Sequence, residues 1–322
     1  MRAVVLDAPG PPEALRLREL PVPVPEPGWV LIEVKAFGLN RSELYTRRGQ
    51  SPGVEFPRVL GIEAVGVVAA APGGEFAPGQ QVAAMMGGMG RAFDGGYAEY
   101  TCVPAEQVLA FESGLDWATI GAVPEMLQTA NGSLTVGLDA QPGQSLLIRG
   151  GTSSVGLAAA VLAKRRGLTV LATTRREERF DVLRAAGVDH PLLDTGEVAE
   201  AVWNLVPGGV DLALELVGTD SMRDTLLATR IHGTVCFTGM LSNVWTVPDW
   251  YPMDYIPNGV RLTVYSGDAS DLPADVLQGF LDDLESGRVT LPGVRAYPLD
   301  QIVDAHRVME DNTVAGKLVV VP

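Results

Sequence analysis

The sequence predicts a mixed α/β protein in which a strand-rich, barrel-like domain is interrupted by a doubly wound parallel-sheet domain. Three observations predict it. The first third is a succession of short β-prone runs without helix-length segments between them. From residue 123 to residue 262, apolar strands alternate with helical patterns of about 10–15 residues, the rhythm of βαβ units. At 322 residues the chain also exceeds what one hydrophobic core of up to ~250–300 residues holds.

The early strands are "MRAVVLD", "WVLIEVKAFGL", "EAVGVVAAA" and "QQVAAMM", punctuated by "APGPP", "PVPVPEPG" and "APGG". The stretch Pro21–Pro27 leads straight into an apolar strand and reads as an extended edge segment. The second domain carries strands "SLLIRG", "LTVLATT", "HPLLD", "VDLALELVG", "GTVCFTGM" and "VRLTVYS". Helices cover Ser153–Arg166, "EERFDVLRAAG", "EVAEAVWNLV" and "SMRDTLLATRI". The last segments, "DVLQGFLDDLESG", "LDQIVDAHRVMED" and "GKLVVVP", return to the first domain. The expected division is 1–122, 123–262 and 263–322.

Composition narrows the function. With 47% hydrophobic and 20% charged residues the chain is globular rather than disordered. Lys and Arg number 24 against 39 Asp and Glu, and the net charge of −15 disfavours nucleic acid and anionic membranes as partners. Two cysteines, Cys102 and Cys236, are too few for a disulfide framework or a four-cysteine zinc site. Asp7 and Pro9 fall where a signal peptide needs apolar residues, and no run reaches the ~18 apolar residues of a membrane span. A cytoplasmic protein is expected.

The stretch "RGGTSSVG" lies between a strand and a helix, where a dinucleotide fingerprint G-x-G-x-x-G belongs. Gly151 and Gly156 fit the outer positions and Ser153 replaces the middle glycine. Phosphate would sit at the helix N-terminus, on free N–H groups and the positive dipole end. Thr152, Ser153 and Ser154 could cap the helix or donate hydroxyls to phosphate. Gly151, Thr152, Ser153, Ser154, Val155 and Gly156 are therefore the candidate phosphate-binding residues, with an ordinary strand-to-helix turn as the competing reading.

The end of the next strand separates those readings. An NAD site wants Asp or Glu about 20 residues beyond the last glycine, to hold the ribose hydroxyls. Arg175 stands 19 residues beyond Gly156, in "ATTRREER". Thr174, Arg175, Arg176 and Arg179 thus suit a ribose 2′-phosphate, which guanidinium binds bidentately. A solvated helix start would also carry charge, but arginine there opposes the helix dipole. NADPH rather than NADH is the expected cofactor.

These residues, with "GLNRSELYTRRG", "PRVLGIEAVGVV", "GGYAEYTCVP", "LQTANGSL" and "YPLDQIVDAHRVMED", occur in an order that resembles the medium-chain dehydrogenase/reductase superfamily. The likeness runs end to end and is nearest to the superfamily's zinc-free quinone oxidoreductase branch. It implies a GroES-like catalytic domain interrupted by a Rossmann domain. Zinc-dependent members carry cysteine and histidine ligands where this chain has Asn40 and Ile62, and a cysteine-rich lobe where it has "AAMMGGMGRAFDGG". His190, His232 and His306 lie far away in sequence. No metal is expected, which leaves hydride delivery to an already electrophilic acceptor, a quinone or an α,β-unsaturated carbonyl.

The resemblance also implies a site. Asn40 and Tyr45 match an N-x-x-(D/E)-x-Y arrangement beside the nicotinamide; an amide can orient a carbonyl and a phenol can donate to a developing enolate. The same residues could simply cap and pack a helix. Thr129 and Lys317 match positions near the cofactor, and Glu63 could satisfy a buried network. Trp245, Trp250 and Tyr251, followed by Tyr255, lie past the fifth strand of the α/β domain, where a planar acceptor could stack. Packing of a loop or subunit interface would explain them equally.

The expected function is zinc-independent, NADPH-dependent reduction of a quinone or enone bound between the two domains. The rivals are an enoyl-thioester or alkenal reductase, and an NADPH-binding redox sensor or structural protein with little turnover. Similar proteins pair the last strand of the Rossmann sheet across a two-fold axis, so a homodimer through "VRLTVYS" is expected.

Overall fold

The computed structural model describes residues 1–291, 293–311 and 316–322. The chain begins with strands β1 (Arg2–Leu6), β2 (Leu15–Glu19) and β3 (Trp29–Gly38), then helix α1 (Arg41–Arg47). Strands β4 (Arg58–Val59), β5 (Glu63–Ala70), β6 (Gln81–Met85), β7 (Tyr100–Pro104) and β8 (Val108–Ala110) follow, then helices α2 (Trp117–Ile120) and α3 (Pro124–Gly132). Strand and helix then alternate: β9 (Ser145–Arg149), α4 (Ser154–Arg165), β10 (Thr169–Thr174), α5 (Phe180–Ala185), β11 (His190–Leu193) and α6 (Ala199–Leu205). The alternation continues through β12 (Val210–Glu215), α7 (Thr219–Leu227), β13 (Thr229–Phe237), α8 (Pro252–Tyr255) and β14 (Arg261–Val264). The chain closes with α9 (Ala274–Glu285), β15 (Val294–Pro298), α10 (Ile302–Asp311) and β16 (Lys317–Val321). Two compact units result, Met1–Glu125 with Asp268–Pro322, and Met126–Gly267. The sequence reading sets its divisions at 122/123 and 262/263.

The first unit is built on a sheet of order β15-β16-β3-β5-β6-β8, with β7 also pairing β3, beside a small sheet β2-β1-β4. Every pairing is antiparallel except β15 with β16. Val30, Ile32, Val34 and Phe37 of β3 join Val4 and Leu6 of β1 and Leu318 and Val320 of β16 in one core. Each such side chain contributes about 1.5–3 kcal/mol by leaving water.

One reading needs correction here, and one strand goes unread in the sequence. Pro21–Pro27 forms no ladder, because proline at every second position removes every second N–H donor. β1 pairs with β4 and with β2, whose sequence "LRLRE" is too charged to stand out as a strand.

The second unit is a single all-parallel sheet of order β11-β10-β9-β12-β13-β14. Counted within the unit this is 3-2-1-4-5-6, the doubly wound dinucleotide-binding order, with its switch point between β9 and β12. Leu146, Leu147 and Ile148 are wholly buried, as a central parallel strand requires. Helix α7 stops at Leu227 rather than running to Ile231, because β-branched Thr229 and Ile231 open β13. β14 forms the sheet edge, and its Val264 is exposed. Among the described residues, no helix is long and apolar enough to cross a membrane.

Candidate active site

The glycine turn sits at the carboxyl end of β9, at the switch point. Gly150 has φ +82°, which its lack of a side chain permits, and its N–H donates to Thr173 Oγ1 at 3.1 Å. Ser153, by contrast, has φ −74° and ψ 162°, a conformation any L-residue adopts. Serine is therefore accommodated where the fingerprint has its middle glycine. Its hydroxyl donates to Gly150 O at 2.8 Å and accepts from Gly156 N–H at 3.1 Å, so it is the N-cap of α4. The first-turn amides of Ser154 and Val155 have no intrahelical acceptor, and anions bind at such positions. Thr152, Ser154 and Val155 are half-buried and Gly151 is buried beneath them.

At the end of β10, Thr174 is buried and its Oγ1 lies 3.4 Å from Arg176 N. Arg175 and Arg176 are exposed and Arg179 half-buried. Among the described residues, none of these three guanidinium groups has a carboxylate within ion-pair distance. Elsewhere in the unit, Arg184 pairs with Asp181, and Lys164 pairs with Asp189 at the start of β10.

Sequence reasoning missed a third group at this edge. Arg149, the last residue of β9, is wholly buried and donates to Asp194, Asp224 and Gly196 O. Burial lowers its pKa, but the hydrogen bonds and charge of Asp194, with Glu215 and Asp224, outweigh this and raise it. The available signal was an arginine closing the apolar strand "SLLIR", where a charge requires buried partners.

In the first unit, Asn40 is the N-cap of α1, and Glu43 at the third helical position accepts the Asn40 N–H at 3.0 Å. Asn40 Oδ1 accepts from the Lys317 ammonium, and Asn40 Nδ2 donates to Glu63 Oε1 at 2.9 Å. Lys317 also pairs with Glu63 at 3.1 Å and Glu125 at 3.4 Å, and Glu63 Oε2 accepts the Glu125 N–H at 3.0 Å. Asn40, Glu43, Glu63 and Lys317 are all buried. Gly38 permits this cluster: a Cβ there would lie 2.3 Å from Glu63 Oε1 and 2.5 Å from Lys317 Cε. Burial lowers the Lys317 pKa, but Glu63 and Glu125 outweigh that and hold it above its usual value.

Glu43 accepts from Ile62 N–H at 3.0 Å, yet burial pushes its carboxyl up to about 7. Between pH 4.5 and 7 the folded protein keeps a proton that the unfolded chain has released, so stability falls as pH rises through that window. The expected loss is about 3 kcal/mol. Urea unfolding at pH 5.5 and pH 8 checks this: Glu43→Gln should reduce the difference, and an identical difference in both proteins would contradict the assignment.

Tyr45 is half-buried on α1, and its phenol interacts with Arg41. Thr129 lies on α3 in the second unit with its hydroxyl 3.3 Å from Gln128 Oε1. Trp250 packs on Tyr255 with ring centroids 4.6 Å apart, and Arg223 lies over the Tyr255 ring. Trp245, Trp250 and Tyr251 are exposed.

A zinc ion does not fit the donors present. Ile62 offers none, and the Asn40 amide is held at both ends. Among the described residues, no three His, Cys, Asp or Glu side chains are grouped to hold a metal.

The sheet order and its switch point define a doubly wound, dinucleotide-binding type of fold. The alcohol dehydrogenase GroES-like domain family matches residues 26–113, and the zinc-binding dehydrogenase family matches residues 154–276. The chain belongs to the medium-chain dehydrogenase/reductase superfamily, in its quinone oxidoreductase-like branch. It is similar to a Homo sapiens quinone oxidoreductase, 28% identical over 99% of this chain and 97% of that one. A Burkholderia 2-haloacrylate reductase is 26% identical over 99% and 98% of the two chains. Among solved structures, an NAD-dependent alcohol dehydrogenase superposes with TM-score 0.88 at 27% identity, covering both chains in full. A mycobacterial protein complexed with NADPH superposes with TM-score 0.85 at 26% identity, also over both full lengths.

Proposed function

We propose that the protein is a zinc-independent, NADPH-dependent reductase of quinones or α,β-unsaturated carbonyls. The observation that carries the cofactor assignment is the set of three guanidinium groups, Arg175, Arg176 and Arg179, at the end of β10, without carboxylate partners among the described residues. A ribose 2′-phosphate supplies the missing anion. The first-turn amides of α4 suit the pyrophosphate, with Ser153 capping the helix rather than reaching the ligand. Tighter binding of NADPH than NADH, by at least about tenfold, is expected from one charge-assisted contact. Isothermal titration decides the point, and a tighter NADH complex would overturn it.

Bound NADPH supplies a hydride equivalent, and the chain's residues do the rest. Asn40 is a positioning residue: Lys317 and Glu63 hold the two ends of its amide, and so fix the N-terminus of the helix that carries Tyr45. The Tyr45 phenol donates a hydrogen bond to the oxygen on which negative charge develops, and water supplies the proton. Thr129, with Trp245, Trp250 and Tyr251, contributes to the nicotinamide and acceptor environment. A quinone takes up hydride and proton to become a hydroquinone. An enone takes hydride at its β-carbon and a proton at its α-carbon. An acceptor that is electrophilic beforehand fits positions 40 and 62, where the Asn40 amide is hydrogen-bonded at both ends and Ile62 has no donor atom.

The 2-haloacrylate reductase among the relatives favours the activated-alkene arm as a second reading of the substrate. The protein is further proposed to form a homodimer through β14, the sheet edge whose Val264 is exposed. Light scattering is expected to give twice the 34.1 kDa chain mass, and the single-chain mass would refute the dimer.

A further inference from the structure

The buried charge cluster at the carboxyl edge of the parallel sheet lies outside the contacts assigned so far. Its centre is Asp194, just beyond β11. The Asp194 backbone N–H donates to Thr174 O at 2.7 Å, which sets this residue against the end of β10, next to Arg175. The ribose acid of an NAD site closes this second strand, about 20 residues past the last glycine, where this chain has Arg175; Asp194 is the carboxylate hydrogen-bonded through its backbone beside that position. In this protein its acceptor capacity is already filled. Oδ1 accepts from Arg149 Nη2 and Gly196 N–H, each at 3.0 Å. Oδ2 accepts from Arg149 Nε at 2.6 Å and Thr173 Oγ1 at 3.1 Å. Four donors match the roughly four lone-pair sites of a carboxylate.

Arg149 also sets the surrounding loops. Its Nη1 donates to Asp224 Oδ2 at 2.6 Å, and Asp224 accepts the Val198 and Ala199 N–H groups at the start of α6. Its Nη2 holds Gly196 O at 2.8 Å. Glu215, at the end of β12, completes the set by accepting Thr225 Oγ1 and the Val217 and Gly218 N–H groups.

We propose that Arg149 is a positioning residue that sets the choice of NADPH over NADH by masking Asp194. The proposal rests on the NADPH reading above. With Arg149 in place, Asp194 neither repels a 2′-phosphate nor has lone pairs left for a 2′-hydroxyl. Without it, a bare carboxylate does both, and both effects move preference towards NADH.

The test is the ratio of the NADH to the NADPH dissociation constant, measured by titration of the full chain. Arg149→Met is expected to lower the ratio roughly tenfold, the effect of one uncompensated charge at intermediate dielectric. Asp194→Asn alone should leave the ratio near its wild-type value, and Asp194→Asn added to Arg149→Met should restore it. A purely structural role would weaken both cofactors together and leave the ratio unmoved. Should Arg149→Met fail to fold, Arg149→Lys keeps the charge but loses the fork, and should shift the ratio the same way by a smaller factor. A folded Arg149 variant with the wild-type ratio, or a double variant that is not restored, overturns the proposal. The wild-type ratio separately tests the NADPH reading, because the direction of the variant shift does not depend on where the ratio starts.

Discussion

Lys317→Met is expected to destabilise the protein by about 3–5 kcal/mol, the usual cost of removing one partner from a buried ion pair. Lys317 is 6% exposed and Glu63 1%, so water cannot replace the lost ammonium. Glu63 and Glu125 would face each other without a counter-charge, and Asn40 Oδ1 would lose its donor. The denaturant midpoint at pH 7 measures the loss. Glu63→Gln added to Lys317→Met should recover a large part of it, because the buried charge leaves with its partner. A Lys317→Met protein with the wild-type midpoint would show that the cluster is not held together by charge.

Gly156→Ala is expected to cost about 1–3 kcal/mol in stability by overpacking. It should also weaken cofactor binding by about 100-fold, as an ångström-scale displacement of a positioning element does. An added Cβ would lie 2.6 Å from Gly150 O and 2.8 Å from Gly151 Cα. These are backbone atoms of the turn, so relief requires moving either α4 or the turn away from β9. Alanine's better helix propensity of about 1 kcal/mol works in the opposite direction and is smaller than the clash. Thermal unfolding with and without NADPH separates the two effects: the ligand-induced rise in Tm should shrink much more than the apo Tm falls. An undiminished ligand-induced shift would place the phosphates elsewhere.

How much of this was legible in the sequence depended on whether a feature was local. The parallel strands of the second unit stood out because both faces are buried, and "SLLI", "VLATT" and "LALEL" are almost unbroken apolar runs. The turn was legible because its glycines answer to local geometry, and Ser153 proved to be a helix cap in ordinary extended backbone. β2 and β7 were not, since "LRLRE" and "YTCVP" mix polarity and their pairing is fixed by distant strands.

The charged clusters were the least legible. Arg149, Asp194, Asp224 and Glu215 are spread over 75 residues and meet because β9, β11 and β12 end at one edge and α7 brings Asp224 to it. Likewise Glu43, Glu63, Glu125 and Lys317 come from four separate segments, and only folding reveals that the Asn40 amide is engaged at both ends. Glu63 alone hinted at the second cluster, as a carboxylate opening the apolar strand "EAVGVV". The family resemblance placed the individual residues; the tertiary pairing assigns what each one holds.

The most direct measurement is the initial rate of NADPH oxidation with 1,4-naphthoquinone, in buffer stripped of metals and containing a chelator. Turnover is expected under these conditions, faster with NADPH than with NADH, and unchanged when zinc replaces the chelator. No turnover without added zinc, or turnover with NADH alone, would contradict the account.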